Sequence, residues 1–153
     1  MSPRAKLQSR PNYDYTVSIF DSQGVELIFR DLTGSDLEFF EYALGKLAAN
    51  STESDRLEWI ARMLTHLNTQ KLDFFLFTKR VLHGLFEVVC ETILCNYATK
   101  VDWLKMCFAL QDGSFVNVTE MEKVPMSKFA VMFDIHVSSA PSQNPADTMV
   151  SPQ

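Results

Sequence analysis

Glycine is too sparse and too scattered here to build a phosphate cradle. The five glycines stand at positions 24, 34, 45, 84 and 113, whereas a P-loop or a dinucleotide fingerprint needs them clustered. No Gly-x-Ser-x-Gly occurs, so the nucleophile elbow is absent too. Cysteine is equally thin: Cys90, Cys95 and Cys107 are an odd number with no Cys-x-x-Cys pair, and His66, His83 and His136 lack ligand spacing. That pattern predicts reduced, apolar thiols, not a disulfide framework or a zinc site. No segment reaches the roughly 18 uninterrupted apolar residues a membrane-spanning helix takes. The longest apolar region, 74–97, is broken by Lys79, Arg80, His83, Glu87, Glu91 and Asn96. Arg4, Lys6 and Arg10 lead into no hydrophobic stretch, so the first residues do not read as a secretory signal. The expectation is a soluble, intracellular protein with no membrane partner.

Cationic charge is also short. The chain has 14 Lys+Arg against 19 Asp+Glu, and without Arg4, Lys6 and Arg10 the remainder stands at 11 against 19, a net −8. Such a body repels phosphate backbones, which argues against a nucleic-acid partner. Residues 1–12 read as a flexible basic arm, either solvated or touching an acidic partner.

What is abundant is apolar side chain: 46% of the 153 residues, including 12 Phe. A disordered chain does not carry that much, and a chain of this length buries about 68–70% of its unfolded surface as one domain. Tyr13, Tyr15, Val17 and Ile19 alternate with polar Asp14, Thr16 and Ser18, the period of a strand with one buried face. Asp21-Ser-Gln-Gly24 supplies a turn and Val25–Arg30 a returning strand, so a β-hairpin is expected. A lone hairpin is marginal; it must lie on helices or add to a partner's sheet.

Helices follow. Ser35-Asp-Leu-Glu38 reads as a capping box ahead of Leu37, Phe40, Ala43, Leu44 and Leu47 at helical spacing. A second helix is expected over about 53–68, and a long one, capped by Asp73, over about 74–97. Gly84 in that helix costs about 1 kcal/mol relative to Ala and suits close approach or a kink. Thr99-Lys-Val-Asp102 caps a fourth helix with Val101, Leu104, Cys107 and Phe108 inward. Residues 115–119 read as a brief strand or extended link, and Thr119-Glu-Met-Glu122 as the cap of a short turn. Pro125 opens a last helix over about 126–137 that buries Phe129, Met132 and Phe133. Residues 138–153, with four Ser, three Pro and the single charge Asp147, read as an extended tail. The predicted architecture is mainly α: about five helices in a bundle over a domain spanning 13–137, with an N-terminal β-hairpin and extended termini.

The search for chemistry finds little. His83 and Cys90 lie seven residues apart, about 10.5 Å along a helix, too far for proton transfer. The acidic pairs Glu38/Glu41, Glu53/Asp55 and Glu120/Glu122 sit near helix N-termini, where the dipole already accounts for them. No catalytic residue, cofactor, metal or small-molecule substrate is expected. The most unusual local feature is Phe74-Phe75-Leu76-Phe77, because four consecutive bulky apolar residues on one helix cannot all face one core. Such a run is either buried on several sides or in part a subunit contact.

The stretch Val25-Glu-Leu-Ile-Phe-Arg-Asp-Leu-Thr-Gly-Ser-Asp-Leu-Glu-Phe-Phe-Glu41 resembles the opening of small tail-assembly and baseplate proteins of contractile-tailed bacteriophages, in which a hairpin ends in an R-x-L-T-x-x-D turn and passes into a helical domain. The likeness covers residues 13–47, and more loosely the helices to about Val137. It implies a non-enzymatic structural or chaperone part in tail assembly, with other tail or baseplate proteins, or copies of the chain itself, as partners, in the virion or in the host cytoplasm during assembly. Tyr13, Tyr15, Phe29, Phe74, Phe75, Phe77, Ser138 and Pro141 are the candidate interface residues. A small cellular adaptor domain and a thiol-dependent enzyme are the alternatives.

Overall fold

From Thr16 onward the alternating segment folds as the expected hairpin, whereas Tyr15 stands before the strand, exposed and at φ 57°. In this computed structural model, which describes residues 8–11, 15–49, 52–111 and 117–139, strand β2 (Thr16–Phe20) pairs antiparallel with β3 (Glu26–Arg30). Val17 faces Phe29 and Ile19 faces Leu27 across the ladder, and all four are buried. Gly24 takes φ 82° in the turn, a conformation that costs glycine little. The Asp21 carboxylate accepts from the amides of Gln23 and Val25 at 2.8 and 2.9 Å. A further strand, β1 (Gln8–Pro11), lies antiparallel on the other side of β2, inside the segment the sequence assigns to a basic arm.

Among the described residues six α-helices follow: α1 (Leu37–Ala48), α2 (Glu53–Leu67), α3 (Lys79–Thr92), α4 (Lys100–Leu110), the single turn α5 (Val118–Met121) and α6 (Met126–Ser139). Threonines start three of them. The hydroxyls of Thr52, Thr78 and Thr99 accept from the amides of Asp55, Val81 and Asp102, satisfying one orphan donor at each helix start. The sheet packs its apolar face on the bundle, with β3 against α2 and β2 against α3. No helix among the described residues is long and apolar enough to cross a membrane.

Three expectations are corrected. The helix over 74–97 is broken: Phe74–Leu76 is one 3-10 turn capped by Asp73, Phe77 is extended, Thr78 caps the true helix, and Leu94–Asn96 is a second 3-10 turn. Gly84 is buried in the unbroken interior of α3. In α4 the inward residues are Trp103 and Cys107, while Val101 and Phe108 are exposed at 61% and 43%. Two apolar stripes compete on that helix, and the indole takes the core. Finally, α6 buries Met126 and Phe129 but leaves Met132 and Phe133 only half-covered, and it runs through Ser138. Residues 115 and 116 and those after Ser139 lie outside the described residues.

Candidate interaction surfaces and the turn that positions them

The turn Arg30-Asp-Leu-Thr-Gly-Ser-Asp36 is where strand, helices and C-terminal segment meet. Asp36, buried, receives a two-pronged contact from Arg30: Nη1 to Oδ2 at 2.7 Å and Nη2 to Oδ1 at 2.9 Å. His66 Nε2 lies 2.8 Å from Oδ1, and the amide and hydroxyl of Thr33 donate to Oδ2 at 2.9 and 3.1 Å. Arg30 also reaches the backbone carbonyls of Asp31 and His66, so one guanidinium ties the end of β3 to the end of α2. The capping residues are therefore Thr33 and Asp36, not Ser35 and Glu38. The His66 ring stacks on Phe39 at 4.6 Å and meets the edge of Phe40.

Asp31 performs the second junction. Its Oδ2 accepts from the amide and hydroxyl of Ser127 at 2.9 and 2.6 Å, and the Met126 amide donates to the Leu32 carbonyl at 2.7 Å. A carboxylate 96 residues away in sequence thus caps α6. Gly34 packs flat on the indole of Trp103: a Cβ there would stand 2.3 Å from Cζ2. Lys100 closes the far side, donating to the Gly34 carbonyl at 2.9 Å and to Glu122 at 3.0 Å with its ammonium 4.5 Å from the Trp103 ring centre.

Burial works to raise the Asp36 carboxyl, but the bonds from His66, Arg30 and Thr33 and the charge of Arg30 outweigh it and hold it well below the usual carboxylate range. Fully occupied by these donors, Asp36 has the character of a structural anion. Burial pushes both Cys90 and Cys107 up to about 11, helped for Cys90 by Glu87 and Glu91 and for Cys107 by Glu122 against the opposing pull of Lys100. Thiols so raised are poor nucleophiles at neutral pH. Among the described residues, no three His, Cys, Asp or Glu side chains gather where they could hold a metal ion.

The molecule's exposed apolar side chains lie away from this turn. Leu76 is 81% and Phe75 55% exposed, and Phe75 joins Leu57, Ala61, Phe77 and Leu82 in lining a hollow of about 330 Å³ that Glu58 and Lys79 also border. Val101, Leu104 and Phe108, with Lys105, line a shallow groove of about 380 Å³ along α4. On α6, Val131, Ile135 and Val137 are exposed.

The candidate interface residues divide. Phe75 faces solvent, and Phe77 is half-buried against the ring of Phe74 at 4.8 Å. Phe29 and Phe74 are corrected to core: both are fully buried, their rings 5.9 Å apart, because the 3-10 turn directs Phe74 inward under the sheet. Tyr15 is exposed at φ 57°, a rare conformation for a bulky residue, and its carbonyl accepts from the Asp31 amide. Ser138 is exposed in the last turn of α6. Tyr13 and Pro141 lie outside the described residues. The outer edge of β3 is covered by the chain itself: Thr69 and Asn68 donate to the Ile28 carbonyl, and the Gln70 side chain accepts from the Ile28 amide and donates to the Glu26 carbonyl. Sequence reasoning missed the groove along α4, although its i, i+3, i+7 spacing was visible once Trp103 was assigned to the core.

Compared with known proteins, the chain matches no family model, no curated protein and no solved structure.

Proposed function

We propose that this chain is a non-enzymatic protein-contact module, a structural or assembly component of a contractile phage tail or baseplate. The observation that carries the contact reading is the placement of large apolar side chains in solvent on three separate elements: Phe75 and Leu76 before α3, Val101 and Phe108 on α4, Val131 and Ile135 on α6. Exposed apolar groupings of this kind mark interfaces. The tail assignment rests on the resemblance of residues 25–41, and the way Arg30, Leu32, Thr33 and Asp36 act together in one junction supports reading R-x-L-T-x-x-D as a functional unit of the fold. The raised thiols favour this reading over a thiol-dependent enzyme.

Two experiments test it. Co-expression with the tail and baseplate proteins encoded beside the gene, followed by size-exclusion chromatography with light scattering, is expected to yield a stable complex. A gene neighbourhood without tape-measure or baseplate genes overturns the tail assignment. Iodoacetamide labelling of the native chain at neutral pH is expected to be slow at Cys90 and Cys107; rapid labelling of either favours the enzyme.

A further inference from the structure

The hollow beside the Phe74–Leu76 turn has three walls, which sets it apart from the single-helix face on α4. Leu57 and Ala61 come from α2, Phe75 and Phe77 from the turn and the residue after it, and Leu82 from α3. Its volume is about 330 Å³. A helix measures about 10–12 Å across with its side chains and would overfill that space within one turn. What the hollow accepts is therefore a protruding side chain.

The chain presents one a single residue away. At 81%, Leu76 is the most exposed of the large apolar side chains among the described residues. Its two sequence neighbours line the hollow and Leu76 does not, so it leaves its own hollow unfilled. The turn holds this knob in place: the Asp73 carboxylate accepts from the Phe75 amide at 3.0 Å, the Asp73 carbonyl from the Leu76 amide at 3.2 Å, and the Phe74 carbonyl from the Phe77 amide at 3.1 Å. A backbone ordered before contact loses little further freedom on docking. Charge then selects the partner. The chain carries a net −5, so two copies repel unless they meet where the surface is locally neutral. The border of the hollow is such a place: Glu58 pairs with Arg62 at 2.9 Å and Lys79 with Glu53, and Glu58 and Lys79 are both about half-exposed. A two-fold axis turns this border onto itself with one charge of each sign from either side. A strongly acidic or basic partner would meet no complement there.

We infer that two copies of this chain pair about a two-fold axis beside Phe75, with Leu76 of each copy seated in the hollow between α2 and α3 of the other. This rests on the protein-contact reading above and names its partner: a second copy. Knob and hollow adjacent on one surface suit an isologous contact, in which each copy gives and receives at once. The patch is small against the roughly 1,600 Å² of a standard interface, so the dimer is weak, with a dissociation constant on the order of 0.1 mM.

Sedimentation velocity of the full chain from about 10 μM to about 1 mM tests it, a range that brackets the expected constant. A monomer–dimer equilibrium is expected. Leu76→Asp removes the knob. Ser54→Trp, at an exposed position that lines the hollow, fills the socket and leaves the knob intact. Each raises the dissociation constant by about tenfold or more and leaves the melting temperature in place, because both positions are exposed. Val101→Asp, an equally exposed apolar site on α4, leaves the dimer as it was. A monomer at all concentrations overturns the inference, as does a dimer indifferent to Leu76→Asp or to Ser54→Trp, or one lost on Val101→Asp. A monomer that still binds a tail or baseplate protein sinks only this pairing and leaves the contact function standing; a dimer that responds to both the knob and the socket variant yet binds no tail protein does the reverse.

Discussion

Arg30–Asp36 and the outer half of α6 are opposites built from one chain. The turn is polar in sequence, yet every charge it buries has several partners, and residues from β3, α1, α2, α4 and α6 converge on it. The α6 segment is apolar in sequence, yet after Phe129 it buries no residue fully. Burial of a charged group is tolerated where hydrogen bonds are complete, while exposure of apolar groups is retained where something else is to cover them. Polarity in the sequence is therefore a poor guide to what lies inside this protein. Stability should be concentrated at the turn and nearly indifferent to the outer helix.

The largest expected loss comes from two fully buried aromatic side chains, Trp103 under the turn and Phe74 against Phe29 of the sheet. Trp103→Ala and Phe74→Ala should each cost about 3–5 kcal/mol in chemical denaturation, the range for emptying a buried aromatic site. Next is Gly34→Ala. Its new methyl would overlap the buried indole, 2.3 and 2.6 Å from Cζ2 and Cε2, and Trp103, hemmed in by Phe129 and Lys100, has little room to retreat, so a loss of about 3 kcal/mol is expected. In a Trp103→Leu background the same glycine change should cost far less. Equal costs in both backgrounds would break the claim that the turn is seated on Trp103.

Removing the buried anion should cost somewhat less. Asp36→Asn keeps the shape but leaves Arg30 and His66 facing a neutral amide, with an expected loss of about 2 kcal/mol. Acid should reveal the same group. The folded carboxyl titrates below its ordinary value of 3.8, so its contribution is complete above that value and is lost as pH falls from there toward the depressed folded one. Denaturation midpoints measured downward from about pH 5 should fall more steeply for the parent than for Asp36→Asn. Parallel curves would mean that Asp36 is no more stabilised folded than unfolded.

How much of this was legible depended on sequence distance. The hairpin turn at Gly24 and the cap Thr99 satisfy donors within four residues, and local pattern finds such devices. At Thr33–Glu38 two capping boxes overlap, Thr33 with Asp36 and Ser35 with Glu38; only Arg30 and His66 decide between them, and His66 lies 30 residues from Asp36. Ser127, 96 residues from Asp31, left no trace that a single sequence displays. The long helix over 74–97 failed for a different reason. Apolar periodicity continues across Thr78, while a hydroxyl that caps α3 interrupts the backbone there. On α4, two stripes of similar hydrophobicity left the choice to shape, and the core had room for Trp103.

The smallest expected effect is the most pointed. Leu76 and Phe74 are two residues apart in the same 3-10 turn and both apolar, so composition treats them alike. Leu76 is 81% exposed while Phe74 is fully buried. Leu76→Ser removes apolar surface that water already reaches, and the change in unfolding free energy should stay within about 0.5 kcal/mol, against several for Phe74→Ala. If burial decides stability and exposure decides contact, Leu76→Ser should leave the melting temperature in place and weaken binding to any partner that docks on this exposed turn. A destabilisation approaching that of Phe74→Ala would mean that this turn is covered by the chain's own structure and that the division between a holding region and a lending region fails at its most exposed residue.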